Sequence, residues 1–282
     1  MVDTLNMLFQ VAILIFVVAT MLSMGLSLRV SEIIAPLKNI SLVATVVVAN
    51  FLVVPLATLG INALLPLDAG AKIALIILSL SAGAPFLPKL VEIANGDRAL
   101  ATAVMLLLMV VTVIILPFAL PLFIGGDVVV DSIAIAKSLL VMMILPLAIA
   151  LFIKAKKDAF AVKWQGRMVK ISNLALLGII IIMSILHGKA MIGIIGYDMV
   201  AIVLFMLVAL TIGYFISIKS TTSRVVSSLG AGQRNISAAL VVAAQNFGDD
   251  PKVSIIIIAV SIIGLFILLF SAKRFQKKCY NQ

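Results

Sequence analysis

The residues with the clearest chemical potential are Gln233, Arg234 and Asn235, near the middle of an apolar run long enough to cross a bilayer once. A positive charge at that depth costs roughly 2.5–3.5 kcal/mol, so such a residue faces protein or a water-filled cavity. Gly230 and Gly232 precede the triplet and allow the backbone to leave helical geometry. The guanidinium fork of Arg234 suits a carboxylate, sulfonate or phosphate. The stretch therefore predicts an anion site.

A second interrupted run lies in the first half of the chain. Its helical pattern is broken by Gly83, Pro85 and Pro88, because proline lacks a backbone donor and disfavours helix just before itself. Lys89 follows at once. It would add a second cation to an anion site, or it would pair with Glu92 along one helical face. Two interrupted spans in corresponding halves of a chain indicate a midplane binding site in a secondary transporter.

Asn50 is a third candidate, since it interrupts an otherwise apolar segment. A buried amide in a span can hydrogen-bond a neighbouring helix as well as a substrate, and both interpretations stand. Arg234 has a structural alternative too, a buried ion pair. The predicted membrane core holds no acidic residue, and Glu92 is the nearest carboxylate. Four further polar residues carry less weight: Thr102, Thr112, Asn173 and Ser184.

The elements that position these residues are predicted to be membrane spans. The 282 residues are 64% hydrophobic and 11% charged, whereas a soluble domain has about 25% charged residues. Nine apolar runs fit as crossings, at 6–28, 40–65, 71–95, 99–124, 132–153, 169–186, 198–218, 225–247 and 253–271. The sequence therefore predicts an all-α, polytopic membrane protein with nine transmembrane helices.

Loop charge orients these spans. With the N-terminus outside, most of the 21 Lys and Arg residues fall on the cytoplasmic side, so the C-terminus is predicted to be cytoplasmic and the membrane a plasma (inner) membrane. The longest loop, 154–170, is basic, contains Trp164 and is predicted to rest on anionic headgroups. The net charge of +10 reports this orientation and predicts no nucleic-acid partner. The two broken spans are five apart, which predicts two inverted repeats.

Four motifs resemble the bile acid:sodium symporter family and its bacterial relatives. They are residues 24–28 (MGLSL), 49–55 (ANFLVVP), 94–100 (ANGDRAL) and 232–240 (GQRNISAAL). The resemblance implies two broken helices that cross at mid-membrane and transport by alternating access. It also implies a single unit with panel helices within about 6–65 and 132–186, and core helices at 71–124 and 198–271. Other members have nine or ten helices.

The chain departs from the sodium-coupled members of that family at several positions. Gly230 stands where they have a glutamate, and Arg234 where they have a glutamine just before the asparagine. Residues 85–88 (PFLP) replace a hydroxyl-containing pattern. The resemblance therefore implies transport more strongly than sodium coupling. By hypothesis, Arg234 puts a fixed cation where a sodium ion would sit; if sodium does bind, its candidate ligands are Asn50 and Gln233.

Together these observations predict a secondary transporter of small organic anions, embedded in a bilayer. The predicted substrate-binding residues are Arg234, Asn235, Gln233, Asn50, Lys89 and Pro85, and the predicted helix-breaking residues are Gly83, Pro88, Gly230 and Gly232. Neither a resident cofactor nor an enzymatic activity is expected, since Cys279 and His187 supply no nucleophile–base pair or metal set. The alternatives are a sodium-coupled symporter, a uniporter or exchanger, and an efflux carrier with similar crossings. Substrate identity and oligomeric state stay open.

Overall fold

The chain folds into helices, with no β-strand among the residues described. The structure is a computed structural model, and it describes residues 2–28, 39–124, 131–217 and 220–280. In chain order the helices are α1 (Val2–Ser27), α2 (Ile40–Leu64), α3 (Ala69–Leu80), α4 (Leu87–Ile93), α5 (Arg98–Ile124), α6 (Ser132–Lys156), α7 (Asp158–Ile192), α8 (Tyr197–Ile216), α9 (Thr221–Gly232), α10 (Ile236–Asn246) and α11 (Pro251–Tyr280). The all-α prediction is confirmed.

Seven of these helices are long and apolar enough to cross a membrane: α1, α2, α5, α6, α7, α8 and α11. The others are shorter and form two consecutive pairs, α3–α4 and α9–α10. Each pair occupies one of the two runs for which the sequence predicts an interrupted span. The long apolar helices make the chain a multi-pass membrane protein.

The helices pack in two groups. In the first, α1 lies along α7 and α6. In the second, α2 packs against α3 and α8, and α11 contacts α3, α8 and α10. The resemblance implies panel helices at about 6–65 apart from their core-packed ends, and α2, which lies in that range, packs with α3 and α8. One polar contact between α2 and α3 is the hydrogen bond that Asn62 Nδ2 donates to the backbone oxygen of Lys72 at 3.1 Å.

Two of the long helices contain a wide π-helical turn just before a proline. The turn spans Ala49–Val53 before Pro55 in α2, and Leu140–Ile144 before Pro146 in α6. Proline has no N–H to donate to the preceding turn, and a local π-helical adjustment accommodates that loss. In α2 the wide turn carries Asn50, which is fully buried.

The predicted loop at 154–170 is wrong, because α7 is already helical from Asp158. Ala161, Trp164 and Met168 are spaced as one helical face, and they pack in a cluster with the ends of α1 and α6. The aromatic ring of Trp164 also lies under the Arg167 guanidinium, 4.7 Å from it. Charge alone suggested a loop here, whereas the spacing of the apolar residues matches the helix that forms.

Candidate functional site

The first break separates α3 from α4 at residues 81–86. Gly83 has φ = +78°, a left-handed conformation that favours glycine. Pro88 lies in the first turn of α4, where a helix needs no N–H from it. Gly83 thus lies within the break, and Pro88, predicted as a helix-breaking residue, stands at the start of the helix that follows it.

The backbone freed by this break is anchored to α5. The Ala82 N–H donates to the Thr112 hydroxyl at 2.9 Å, and that hydroxyl donates back to the Ala82 carbonyl at 3.0 Å. Thr112 is fully buried. A single threonine thus satisfies both polar groups of one unwound residue, as the membrane interior requires.

The second break lies at residues 233–235, between α9 and α10. Gly230 and Gly232 precede it and are both within helix α9, which corrects their predicted role as the breaking residues. Gly232 instead allows close packing, since a Cβ there would lie 2.7 Å from Leu210 Cδ2. Gly230 faces Leu87 of α4, with an added Cβ 3.3 Å from its Cδ2.

Asn235 joins the two breaks. Its N–H donates to the Ser81 carbonyl at 2.9 Å, and its Nδ2 donates to the Gly83 carbonyl at 3.1 Å. Its Oδ1 accepts from the Ala238 N–H at 3.1 Å, which caps the N-terminus of α10. The residue is 0% exposed. Asn235 therefore has each of these groups engaged within the protein and holds the crossing together.

Arg234 lies beside it, 3% exposed. Nη1 donates to the Ser79 carbonyl at 3.1 Å, Nη2 donates to the Ala231 carbonyl, and the guanidinium lies 5.7 Å from the Phe205 ring. It forms no ion pair with the described residues. Both carbonyls belong to the last turn of a helix, α3 or α9, where the helix dipole provides roughly half a negative charge. The two helix ends stabilise the cation in place of a carboxylate.

Two other predicted site residues, Asn50 and Gln233, are buried amides. Asn50 Nδ2 donates to the Val46 carbonyl at 2.9 Å within α2. Its Oδ1, like Oε1 of Gln233, is buried and has no hydrogen-bond partner in the part of the chain described. These two oxygens have the chemistry to accept a donor or to ligate a cation.

A polar cavity of about 880 Å³ lies between α1 and α7 on one side and α4 and α5 on the other. It reaches the first break at Pro85, Phe86 and Pro88. Its charged lining comprises three cations and one carboxylate, namely Lys89, Arg98, Lys154 and Glu92. The cavity opens where α1 and α6 end and where α5 and α7 begin.

Among the described residues, the charged lining of this cavity has more cations than carboxylates. Glu92 is shared between Lys89, 3.2 Å away, and Arg98, 3.8 Å away. Lys154 is paired with Asp158 of α7 at 2.8 Å. The predicted Lys89–Glu92 pair is therefore present, and Lys89 still lines the cavity with more than half of its side chain exposed.

Polar side chains line the opposite wall, and of these only Asn173 was among the candidates named from the sequence. Thr20, Ser23 and Ser27 of α1 line the cavity, and so do Ser172 and Asn173 of α7. Thr20 Oγ1 lies 2.6 Å from Ser172 Oγ across the two helices. The signal was the spacing of the α1 hydroxyls by three and four residues, which puts them on one helical face.

The predicted substrate-binding residues thus fall in two places. Lys89 and Pro85 line the cavity. The other four are buried and lie outside the cavity lining: Arg234, Asn235, Gln233 and Asn50. The structure thus divides between two locations the six residues that the prediction assigned to one site.

A separate ion cluster joins the N-terminal ends of three helices. Lys252 Nζ of α11 pairs with Asp198 of α8 at 2.7 Å and with Asp68, which caps α3. Asp68 also accepts from the Ala71 N–H at 2.9 Å. Burial raises the pKa of the Asp68 carboxyl, but the hydrogen bonds from Lys252 and Ala71 lower it by more, so the pKa lies below its ordinary value.

Asp68→Asn is expected to lower the thermal midpoint of the protein near neutral pH. Because the folded-state pKa is depressed, the carboxylate's contribution is complete above about pH 4 and is lost as pH falls through the folded pKa. The midpoints of wild type and variant should therefore converge in acid. Asp131→Asn is the control, since Asp131 caps α6 without forming any of the ion pairs described. An equal effect of both variants would contradict a role for the Asp68 ion pair.

The arrangement defines a class: long apolar helices, two short broken pairs that meet, and a polar cavity beside one break describe a multi-pass membrane transporter. Comparison with known protein families matches residues 12–194, more than half of the chain, to the Sodium Bile acid symporter family. The chain belongs to that family. Its members are transporters, which supports the prediction that the chain is not an enzyme. The match includes α3 and α4 and ends before α9 and α10. A search of curated proteins gives no match.

Proposed function

We propose that this chain is a secondary transporter of small organic anions and that it works by alternating access. The observation that carries the proposal is the polar cavity of about 880 Å³ beside the first helix break. Its volume falls in the range of small-molecule sites, and its charged lining favours anions. The family membership supplies the transport role.

The charge balance of the cavity selects the sign of the substrate. Lys89 and Arg98 share one carboxylate, Glu92, so among the residues described these two cations exceed their paired carboxylates by one positive charge. A carboxylate or sulfonate that enters the cavity can pair with that charge and accept charge-assisted hydrogen bonds. The hydroxyl oxygens of Thr20, Ser23 and Ser172 then offer acceptors to donor groups of the same molecule, since their hydrogens are already donated within the protein.

Alternating access fits the boundary between the two helix groups. The large cavity lies at one half of this boundary, and a smaller pocket of about 470 Å³ lies at the other half, lined by Gln10 of α1, Met142 of α6 and Gln245 of α10. Rocking of the α1–α6–α7 group against the remaining helices would close one opening and enlarge the other. In this proposal each broken pair counts as one crossing, which gives nine crossings, and the two pairs belong to inverted repeats.

The large cavity opens to the cytoplasm in this proposal. Its mouth carries Arg98 and Lys154, and Lys163 and Arg167 lie on the adjoining turns of α7. Basic residues concentrate on the cytoplasmic side of multi-pass proteins. The N-terminus would then be outside and the C-terminus cytoplasmic, in a plasma (inner) membrane.

Removing the cationic pair tests the function. Lys89→Gln with Arg98→Gln is expected to weaken binding of the preferred organic anion by about 10-fold or more, because a charged hydrogen bond contributes about 1.5–3 kcal/mol. The measurement is a thermal-shift titration with carboxylates and sulfonates, followed by uptake into proteoliposomes. Lys163→Gln is the matched control, exposed near the same mouth but outside the cavity lining. Unchanged binding in the double variant, or preference for a cation, would refute an anion site there.

A further inference from the structure

We infer that Arg234 is a tethered cation that takes the place of a transported sodium ion at the helix crossing. The inference rests on the proposed transport function and adds to it the statement that transport needs no sodium. The name of the family includes sodium, so the question is whether the residues of this crossing fit that ion.

Two of the groups that would hold sodium already accept hydrogen bonds from Arg234. In transporters with broken helices, coupling ions bind to unwound carbonyls and to the C-terminal ends of half-helices. The corresponding groups here are the carbonyls at the ends of α3 and α9. Ser79 O and Ala231 O both accept hydrogen bonds from the guanidinium of Arg234.

The helix ends at the crossing leave no surplus negative charge for a second cation. The C-terminal ends of α3 and α9 each supply roughly half a negative charge, whereas the N-terminal ends of α4 and α10, which begin after the same two breaks, supply partial charges of the opposite sign. No ion pair of Arg234 with a described carboxylate adds to that. A sodium ion about 4 Å from the guanidinium would bind roughly 1000-fold more weakly than without it, at an effective dielectric constant of about 20.

The remaining oxygen atoms do not change this conclusion. Asn50 Oδ1 and Gln233 Oε1 are buried acceptors without a partner among the described residues. Both are neutral amides, so they bring no charge to offset a second cation. If Arg234 lost its charge, however, these oxygens and the two released carbonyls would be the kind of ligands that a hard cation prefers.

Sodium dependence of folding stability tests the inference. Wild type, Arg234→Gln, Arg234→Lys and Arg167→Gln would be purified in detergent and melted in sodium chloride or choline chloride at equal ionic strength. Wild type, Arg234→Lys and the surface control Arg167→Gln should have the same midpoint in both salts. Arg234→Gln should melt lower in choline and rise by about 2–4 °C in sodium, because a ligand that binds only the folded state stabilises it.

Each outcome either supports or overturns the inference that Arg234 takes the place of sodium. A saturable rise of the wild-type midpoint with sodium would overturn the inference, and so would a folded Arg234→Gln that ignores sodium. If Arg234→Gln fails to fold in either salt, the decision falls to Arg234→Lys and wild type: sodium-insensitive midpoints for both uphold a tethered cation, and a sodium response in either overturns it. The anion titration of Lys89 and Arg98 variants is run in choline, so failure of the proposed function is seen separately.

Discussion

Gly83→Ala is expected to abolish folding of the protein or to destabilise it by more than about 4 kcal/mol, an exceptional value for one substitution. An added Cβ would lie 2.2 Å from the Met109 nitrogen and 2.6 Å from the Met105 oxygen. Both are backbone atoms of α5, so no flexible side chain can move aside. The left-handed φ of +78° adds roughly 1–2 kcal/mol for a residue with a Cβ. The first break and α5 would have to separate.

The measurement is the yield of monodisperse protein from size-exclusion chromatography, followed by thermal unfolding of whatever is recovered. Gly60→Ala is the matched control, since Gly60 is also a glycine of a predicted span but an added Cβ there would meet no described atom within 4 Å outside its own helix backbone. It lies inside helix α2, so alanine should keep or raise stability by up to about 1 kcal/mol. Wild-type yield and midpoint for Gly83→Ala would show that α5 does not pack this closely.

The first break could be predicted from sequence because its cause is local. The clustering of Gly83, Pro85 and Pro88 restricts the backbone wherever it occurs. The second break was found in the right run but at the wrong residues. Gly230 and Gly232 indicate either backbone freedom or close packing, and only the position of Leu210, brought there by α8, decides for packing.

Arg234 shows more clearly what the sequence alone does not predict. Its burial followed from the cost of a charge in an apolar run, and the structure agrees. Its partners did not follow, because one of them is the backbone carbonyl of Ser79, 155 residues earlier in the chain. Every residue has a backbone carbonyl, so no residue type in the sequence indicates which carbonyl will accept from Arg234. Fold class follows from hydropathy, whereas the partners of a buried charge depend on tertiary packing.

The cavity likewise has one wall that the sequence predicts and one wall that it does not. The Lys89–Glu92 pair could be predicted because side chains three positions apart on a helix are neighbours. The facing wall could not, since Thr20 and Ser172 meet only when α1 packs along α7. Contacts within one helix can be predicted from the spacing of residues. The residues that line one cavity from different helices can be identified only once the packing of those helices is known.

Asn235→Ala is expected to destabilise the protein by about 2–5 kcal/mol. The substitution leaves the Gly83 carbonyl and the Ala238 N–H without partners in a fully buried site, at about 1–3 kcal/mol for the lost bond and about 0.5–2 kcal/mol for the lost cap. Asn235→Ser separates these two costs. A serine hydroxyl can still cap α10, but it is too short to reproduce the bond to Gly83, so about 1–3 kcal/mol should be lost.

Asn246→Ala is the control that separates the loss of contacts at the crossing from the loss of an ordinary hydrogen bond within a helix. Asn246 is also in the α10 segment, but its Nδ2 donates to the Val242 carbonyl at 3.2 Å within the helix, so its removal should cost less than about 1 kcal/mol. Thermal and denaturant unfolding of the three variants should rank Asn235→Ala below Asn235→Ser and Asn246→Ala nearest to wild type. If Asn235→Ala were no worse than Asn246→Ala, the two breaks would be joined by the backbone bond from Asn235 to Ser81 and by Arg234 alone. The crossing would then depend chiefly on its buried cation.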